Sequence, residues 1–326
     1  MRVAQTDNGK IEIREIEDIT LSNRTGAILR VLGCGLCGSD IIKLRKNLVK
    51  DGTVLGHEVV GEIVELNTNT SFKVGDVIVT SHHIPCGKCE YCKNGNISMC
   101  RHFKQTNIFP GGFSRYIYVS EEHLQNVAYL KPKNLSNEEV SFYEPLGCCI
   151  RAVKRANLQK NSTALVIGLG SIGILMAQAL RAFGIKTIGC DLIQKRVDGL
   201  KKLGIEAFKV NELCESIKAD CVFMTSGASK AIDTAIKYVR DGGKILVFSS
   251  IPNLEGYSNN EIYYRELTVM GSYSPSPVDL FDSLELLKNN DVNVKGLSTE
   301  YDLIDLQQAI NDTIDNTILK AYINIS

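Results

Sequence analysis

The sequence predicts an α/β protein in which a β-rich N-terminal region leads into a doubly wound unit built on a parallel sheet. Three observations carry this expectation. Up to roughly position 140 the chain alternates apolar and polar residues, is rich in β-branched types and is punctuated by Gly, Asn and Asp. From Thr163 the alternation gives way to short, continuous apolar runs separated by helical stretches, the mark of strands buried on both faces. Between the first such run and its helix stands Gly168-Leu169-Gly170-Ser171-Ile172-Gly173, a glycine spacing that gains its meaning from that placement.

The N-terminal region is expected to hold strands at residues 27–32, 59–66, 77–80 and 113–119. The doubly wound unit follows as strand 164–167, helix 172–183, strand 187–190, helix 194–203, strand 221–224, helix 230–238, and strands 244–248 and 267–271. After Ser272 come helices at 280–288 and 306–312 and a last strand at 321–325. The 326 residues suit two domains at about 150 residues each. A hydrophobic content of 44% is enough for a sizeable core.

Charge and apolar patterning exclude two classes of partner. Lys plus Arg and Asp plus Glu each number 37, so the net basic field of a nucleic-acid binder is missing. No apolar stretch approaches the ~20 residues of a membrane span; the longest, 172–183, is broken by Gln178 and Arg181. The first seven residues carry no apolar leader segment, so a reducing, cytoplasmic location is expected for the 11 cysteines.

Four of those cysteines are grouped: Cys86, Cys89, Cys92 and Cys100, in the spacing C-x2-C-x2-C-x7-C. Four thiolates this close in sequence surround one tetrahedral Zn²⁺, and with four protein ligands such a site is closed and structural. Redox pairing or plain burial are the other readings of clustered cysteines.

The glycine loop points to a dinucleotide. Gly168 permits a tight turn, Gly170 lets the backbone approach a pyrophosphate, and Gly173 allows close helix–strand packing, while Ser171 and Ile172 open the helix and present its N–H groups. Asp191 closes the next strand, where a carboxylate holds the ribose 2′-OH and repels a 2′-phosphate, favouring NAD over NADP. The neighbouring cations Lys195 and Arg196 temper that preference, and Asp191 read alone is equally a helix cap.

Two further stretches carry metal-ligand types: Cys34-Gly35-Leu36-Cys37-Gly38-Ser39-Asp40 and Gly56-His57-Glu58. Either alone reads equally as a buried thiol or a satisfied core histidine. Together with the four-cysteine segment, Glu144-Pro145-Leu146 and the glycine loop with Asp191, they stand in the order and roughly the spacing of a known family. The chain resembles the zinc-dependent medium-chain alcohol/polyol dehydrogenases, in particular the sorbitol/threonine dehydrogenase-like branch, over essentially its whole length.

That resemblance implies a Rossmann coenzyme domain at 144–273 inserted into a β-rich, GroES-like catalytic domain formed by 1–143 plus 274–326. It implies two zinc ions per chain, one structural and one catalytic, and NAD as hydride acceptor. By position, Cys37 and His57 would hold the catalytic zinc, with Glu58 an outer carboxylate able to approach it. Glu144 lies where this branch places a carboxylate and the alcohol dehydrogenases proper place a cysteine. Asp40 would fix the tautomer of His57, and Ser39 would hydrogen-bond the substrate hydroxyl. The implied activity is reversible hydride transfer from a secondary alcohol of a polyol or sugar-like substrate. A polyol-phosphate or L-threonine dehydrogenase is the alternative within the class, and a non-catalytic NAD- and zinc-binding redox sensor the alternative outside it. A homodimer or homotetramer is the expected assembly, with a small alcohol or ketone as the bound partner.

The chain departs from the family at three places: Ile42 stands where many relatives carry a relay histidine, Asn67 where the family's zinc signature has a small residue, and Ser274-Pro275 replaces an Arg-Tyr pair. Lys43, Arg45 and Lys46 form a basic run beside the expected site, read first as solvated surface and second as a phosphate contact. His82 and His83, just before the four-cysteine segment, are expected as surface residues at a strand end, with lining of a pocket the other reading. Cys34, Cys148, Cys149, Cys190, Cys214 and Cys221 are expected as core thiols.

Overall fold

The computed structural model describes residues 1–249 and 256–325. Residues 250–255 and 326, which fall within the two expected domain ranges, lie outside the described residues. Two compact units emerge. The first comprises Met1–Glu144, Ser276–Lys288 and Val294–Ser326; the second comprises Pro145–Pro275 and Asn289–Asn293.

The first unit is built on a seven-stranded sheet. Its centre is the antiparallel pair Gly26–Gly35 and Glu58–Asn67, flanked by Val77–Thr80 and Ala128–Leu130 on one side and by Ala321–Asn324 and Thr299–Asp302 on the other, with Tyr116–Ser120 also paired to Gly26–Gly35. Alternating burial along the central strands puts Ala27, Leu29, Val31, Ile63 and Ile117 into one apolar core together with Leu306 and Ile310 from the C-terminal tail. Register decides what gathers at one end of this sheet. Gly35 pairs with Glu58, Val59 with Thr80, and Tyr322 with Gly35. The residues just past those pairs, Cys37, His57, His82 and Lys320, therefore leave the sheet at the same edge although they are far apart in sequence.

The second unit holds a six-stranded, all-parallel sheet in the spatial order Glu206–Lys209, Lys186–Asp191, Thr163–Ile167, Ala219–Met224, Val239–Val247, Thr268–Gly271. Numbered along the chain from Thr163, this is 3-2-1-4-5-6, the dinucleotide-binding order, whose direction reverses between the strands that begin at Thr163 and Ala219. Leu165, Ile167, Val222, Met224 and Ile245 are buried in its core, as continuous apolar runs require.

Several elements differ from the sequence expectation. Arg2–Asp7 and Lys10–Glu15 form a hairpin closed by Asn8 and Gly9, both at positive φ. This is the turn for which Asn-Gly is suited. Gly38–Arg45 is a helix that starts at Cys37, whose backbone N–H donates to the Asp40 carboxylate. Tyr143–Ala156 is also helical, with Pro145 in the first turn, where its missing N–H costs nothing. The strand expected at 244–248 begins at Val239, directly after the helix Ala231–Tyr238.

Candidate active site

At the edge where Cys37, His57, His82 and Lys320 meet, Cys37, His57 and Glu58 form a group that could hold a metal ion. One ligand atom each from Cys37, His57 and Glu58 lies within 4.8 Å of the other two. His57 and Glu58 are buried and Cys37 is half-buried. Behind them Asp40 is also buried, with Oδ1 3.4 Å from His57 Nδ1 and Oδ2 accepting from the Cys37 N–H at 3.3 Å. One carboxylate thus orients both the imidazole and the turn that carries the thiol. Burial disfavours charge on both groups, yet the pair overrides it: Asp40 and Cys37 hold the His57 pKa well above its usual value, and His57 keeps the Asp40 carboxyl low. Ser39 is half-buried, and its hydroxyl donates to Cys37 Sγ at 3.3 Å.

Glu58 meets a partner that carries no signal in the sequence. Lys320, 4% exposed, forms an ion pair with Glu58 Oε2 and donates to the Leu36 carbonyl at 3.2 Å. Burial works to discharge this lysine, but the Glu58 carboxylate outweighs it and raises the Lys320 pKa. Gly35 makes room for the pair, since a Cβ there would stand 2.0 Å from Glu58 Oε2. A buried ammonium competes with a metal ion for the same carboxylate, so for a metal held here Cys37 and His57 would be the fixed donors and Glu58 the exchangeable one. Removing one member of such a buried pair typically costs about 3–5 kcal/mol.

Glu144 is buried at the start of the helix Tyr143–Ala156, but its carboxylate is not part of the group in which Cys37, His57 and Glu58 all approach one another. Ile42 is 45% exposed on the helix Gly38–Arg45. Lys43, one turn beyond Asp40, is half-buried, while Arg45 and Lys46 are exposed.

His82 and His83 are half-buried and turn toward the site rather than lying free on the surface. The His82 ring lies 4.5 Å from that of His57, His83 stacks on His82 at 4.0 Å, and Phe103 follows at 4.7 Å. Burial first, then the positive charges around it, keep His82 well below the usual histidine pKa. The strand end at Thr80 carries them inward because it pairs with Val59, next to the metal-ligand residues. Among the other cysteines, Cys34, Cys149, Cys190 and Cys221 are buried as expected, and Cys148 is half-buried. Cys214 is exposed, because it lies in the loop between Val210–Glu212 and Ala219–Met224 rather than on a strand.

The four-cysteine segment closes on itself. Cys86, Cys89, Cys92 and Cys100 bring all four sulfurs within 4.8 Å of one another, and all are free thiols. Ile97 and Phe103 pack beside them. Burial opposes ionisation of Cys100, but the backbone N–H groups of Cys86 and Phe103 stabilise its thiolate and bring its pKa down to about 6. This donor set fits a closed zinc site; the pairwise geometry belongs to four ligands rather than to a disulfide. Thiolate grips zinc better than oxygen does. If zinc fills both this group and that of Cys37, His57 and Glu58, whose set includes an oxygen donor, a mild chelator should remove activity before it alters the fold, and added Zn²⁺ should restore that activity. Metal content and circular dichroism followed together would test the order; simultaneous loss of both ions with unfolding would contradict it.

In the second unit the glycine loop has the geometry its spacing implies. Gly168 sits at φ +95° and hands its carbonyl to Thr225 Oγ1 at 2.6 Å. A Cβ on Gly173 would stand 1.8 Å from that same carbonyl oxygen, so only glycine lets the helix Ser171–Ala182 start so close to the loop. A Cβ on Gly170 would meet nothing within 4 Å, which leaves open space over the helix N-terminus where Ser171 and Ile172 begin the helix. Asp191 is 6% exposed and accepts from the N–H groups of Leu169 at 2.6 Å and Ile193 at 2.8 Å. It thereby ties the glycine loop to the next helix. Arg196 approaches it at 3.6 Å. The donors, the open face over Gly170 and the carboxylate beside them fit a dinucleotide.

Comparison with known proteins agrees with this geometry. The family described as "Alcohol dehydrogenase GroES-like domain" matches residues 23–129, and "Zinc-binding dehydrogenase" matches residues 171–289. Sorbitol dehydrogenase of Bacillus subtilis (strain 168) is 30% identical over 96% of this chain and 93% of its own length. D-arabitol-phosphate dehydrogenase of Enterococcus avium is 29% identical over 91% of this chain and 89% of its own. The crystal structure of L-idonate 5-dehydrogenase from Escherichia coli superposes with a TM-score of 0.86, at 23% identity, over 99% of this chain and 98% of that one. The chain belongs to the zinc-dependent medium-chain alcohol/polyol dehydrogenase family. Among the described residues no helix is long and apolar enough to cross a membrane.

Proposed function

We propose that the protein oxidises a secondary alcohol of a polyol or sugar-like substrate to the ketone, with NAD⁺ as hydride acceptor, and catalyses the reverse reduction. The observation that carries this reading is the group Cys37, His57 and Glu58 at one sheet edge, oriented by Asp40 and Lys320. A soft thiolate, an imidazole and an exchangeable carboxylate suit zinc with a coordination position left for substrate. Bound there, zinc would act as a Lewis acid that acidifies a hydroxyl or polarises a ketone. The chain's own groups supply the rest. Asp40 fixes the imidazole, Lys320 draws Glu58 aside, and the Ser39 hydroxyl stands beside Cys37 Sγ to take and pass the substrate proton. Glu144, buried in the same unit, is the carboxylate we assign to the metal once it is loaded. Cys86, Cys89, Cys92 and Cys100 would hold the second, structural zinc.

The coenzyme role falls to the second unit, through Gly168, Gly170, Ser171, Ile172 and Gly173. Two Asp191 acceptor positions are taken by backbone N–H groups, and the remaining lone pairs are available to a ribose 2′-OH. Its charge disfavours a 2′-phosphate, which supports NAD; Arg196, at 3.6 Å, is partly neutralised by the same carboxylate.

Lys43 favours a second reading for the substrate. It is half-buried one turn from Asp40 and has no carboxylate partner among the described residues, as a phosphate-binding lysine would. A panel of polyols, polyol phosphates, threonine and simple secondary alcohols, scored by NADH absorbance with either cofactor, tests both readings. Polyols or their phosphates should be the best substrates, with NAD⁺ preferred and the preference weakened or reversed in Asp191→Gly. Turnover of threonine alone, or equal use of NAD⁺ and NADP⁺ by the wild type, would overturn the corresponding part.

A further inference from the structure

We propose that His82 binds the substrate directly, its imidazole pairing with a second hydroxyl on a carbon next to the one oxidised. The inference rests on the proposed alcohol oxidation at Cys37 and His57. Besides His57, three histidines lie along this edge of the first unit, and two of them pair through a ring nitrogen. His83 Nδ1 pairs with the Thr106 carbonyl at 2.6 Å. His123 pairs through Nδ1 with Ser120 Oγ at 2.7 Å and through Nε2 with the His82 carbonyl at 3.1 Å. His82 differs: its backbone is held by His123 and its ring lies between those of His57 and His83, yet its Nδ1 is buried without a hydrogen-bond partner among the described residues.

A buried polar atom left unpaired is costly, and native structures keep few of them. Packing alone does not account for this one, because a phenylalanine would fill the same ring position with no polar atom to satisfy. Metal binding does not account for it either, since the ligand group is Cys37, His57 and Glu58 and excludes His82. A hydroxyl brought by the substrate would supply the missing partner. The ring contact with His57 places His82 one residue's width from the metal ligands, within reach of a substituent adjacent to the reacting carbon. A hydroxyl donates and accepts, so it satisfies the imidazole in either tautomer. A monohydric alcohol offers only its reacting oxygen and leaves Nδ1 unpaired. His82 would therefore select vicinal diols over simple alcohols, by the same logic through which sites built to bind a hydroxyl reject analogues that lack it.

The test compares 2,3-butanediol with 2-butanol, and xylitol with its 1-deoxy and 3-deoxy analogues, in wild type, His82→Phe and His82→Gln. Steady-state rates are read by NADH absorbance, zinc content by atomic absorption, and diol binding by thermal shift in the presence of NADH. Wild type should prefer the hydroxylated member of a pair. The Phe variant should lose about tenfold or more of that preference, chiefly through KM for the diol, with zinc content and kcat/KM for the simple alcohol little changed. The diol-dependent thermal shift should fall with it, and the Gln variant should recover part of both. If the Phe variant loses zinc, His82→Met, of similar volume, carries the same comparison. A preference that survives removal of the imidazole, or a wild type that shows none, overturns the assignment of His82 and leaves the dehydrogenase reading standing. A wild type that oxidises no alcohol overturns both.

Discussion

Replacing His57 by alanine should reduce kcat by well over the ~10–100-fold that loss of a supporting partner costs in metal sites, while NADH binding stays close to wild type. The two halves of this expectation come from different units. His57 belongs to the first, in the ligand group with Cys37 and Glu58, and the glycine loop belongs to the second. The cofactor's binding groups, the N–H donors after Gly170 and the Asp191 carboxylate, do not involve His57. Cys37→Ser should behave similarly, since an alcohol oxygen replaces the softest donor of the set. Asp40→Asn provides the calibration. It keeps the shape behind His57 but removes the charge that orients the ring from 3.4 Å, so its loss should lie within the ~10–100-fold range rather than beyond it. Steady-state kinetics, zinc content and NADH fluorescence titration on the three variants would separate these cases. Retained turnover in His57→Ala or Cys37→Ser, with zinc still bound, would show that the reacting centre lies elsewhere.

The grouping of Cys37, His57 and Glu58 was legible in the sequence because their types and neighbours are rare together, and the parallel unit was legible because strands buried on both faces leave unbroken apolar runs. Val166-Ile167 leading into Gly168 needed no tertiary information. What escaped the sequence depended on register. Lys320 reaches Glu58 because Tyr322 pairs with Gly35, a contact between opposite ends of the chain that no local pattern records. His82 and His83 look like polar residues ending a strand, and only the pairing of Thr80 with Val59 turns them toward His57. The hairpin at Asn8-Gly9 is a different case: the turn signal and the alternation of Lys10–Glu15 are both local, and only Arg2–Asp7, buried at the adjacent Val3 and Ala4, lacks a clean period. Asp191 joins the two readings its position allows. It braces the glycine loop and caps toward the next helix while retaining acceptor capacity, so the proposed ribose contact is compatible with its structural role.

Gly170 and Gly173 should fail in opposite ways when changed to alanine, and the contrast would assign the cofactor loop. At Gly170 the backbone has an ordinary φ of −66°, and an added Cβ meets nothing within 4 Å. The variant should fold with a stability change within about 0.5 kcal/mol of wild type. That methyl group would nevertheless occupy the space over the helix N-terminus into which a pyrophosphate must come, so NADH affinity should fall by about tenfold or more. At Gly173 the Cβ would lie 1.8 Å from the Gly168 carbonyl oxygen and 2.8 Å from its carbon. Both are backbone atoms of a turn already held by Thr225, which donates to the Gly168 carbonyl, so they cannot swing aside as a side chain would. The helix must instead move off the loop, at a cost of about 1–3 kcal/mol, and both melting temperature and NADH affinity should drop. Thermal melts with fluorescence titration of NADH read both quantities on each variant. If Gly170→Ala binds NADH as tightly as wild type, the pyrophosphate does not cross that glycine, and the dinucleotide must be held by some other surface of the second unit.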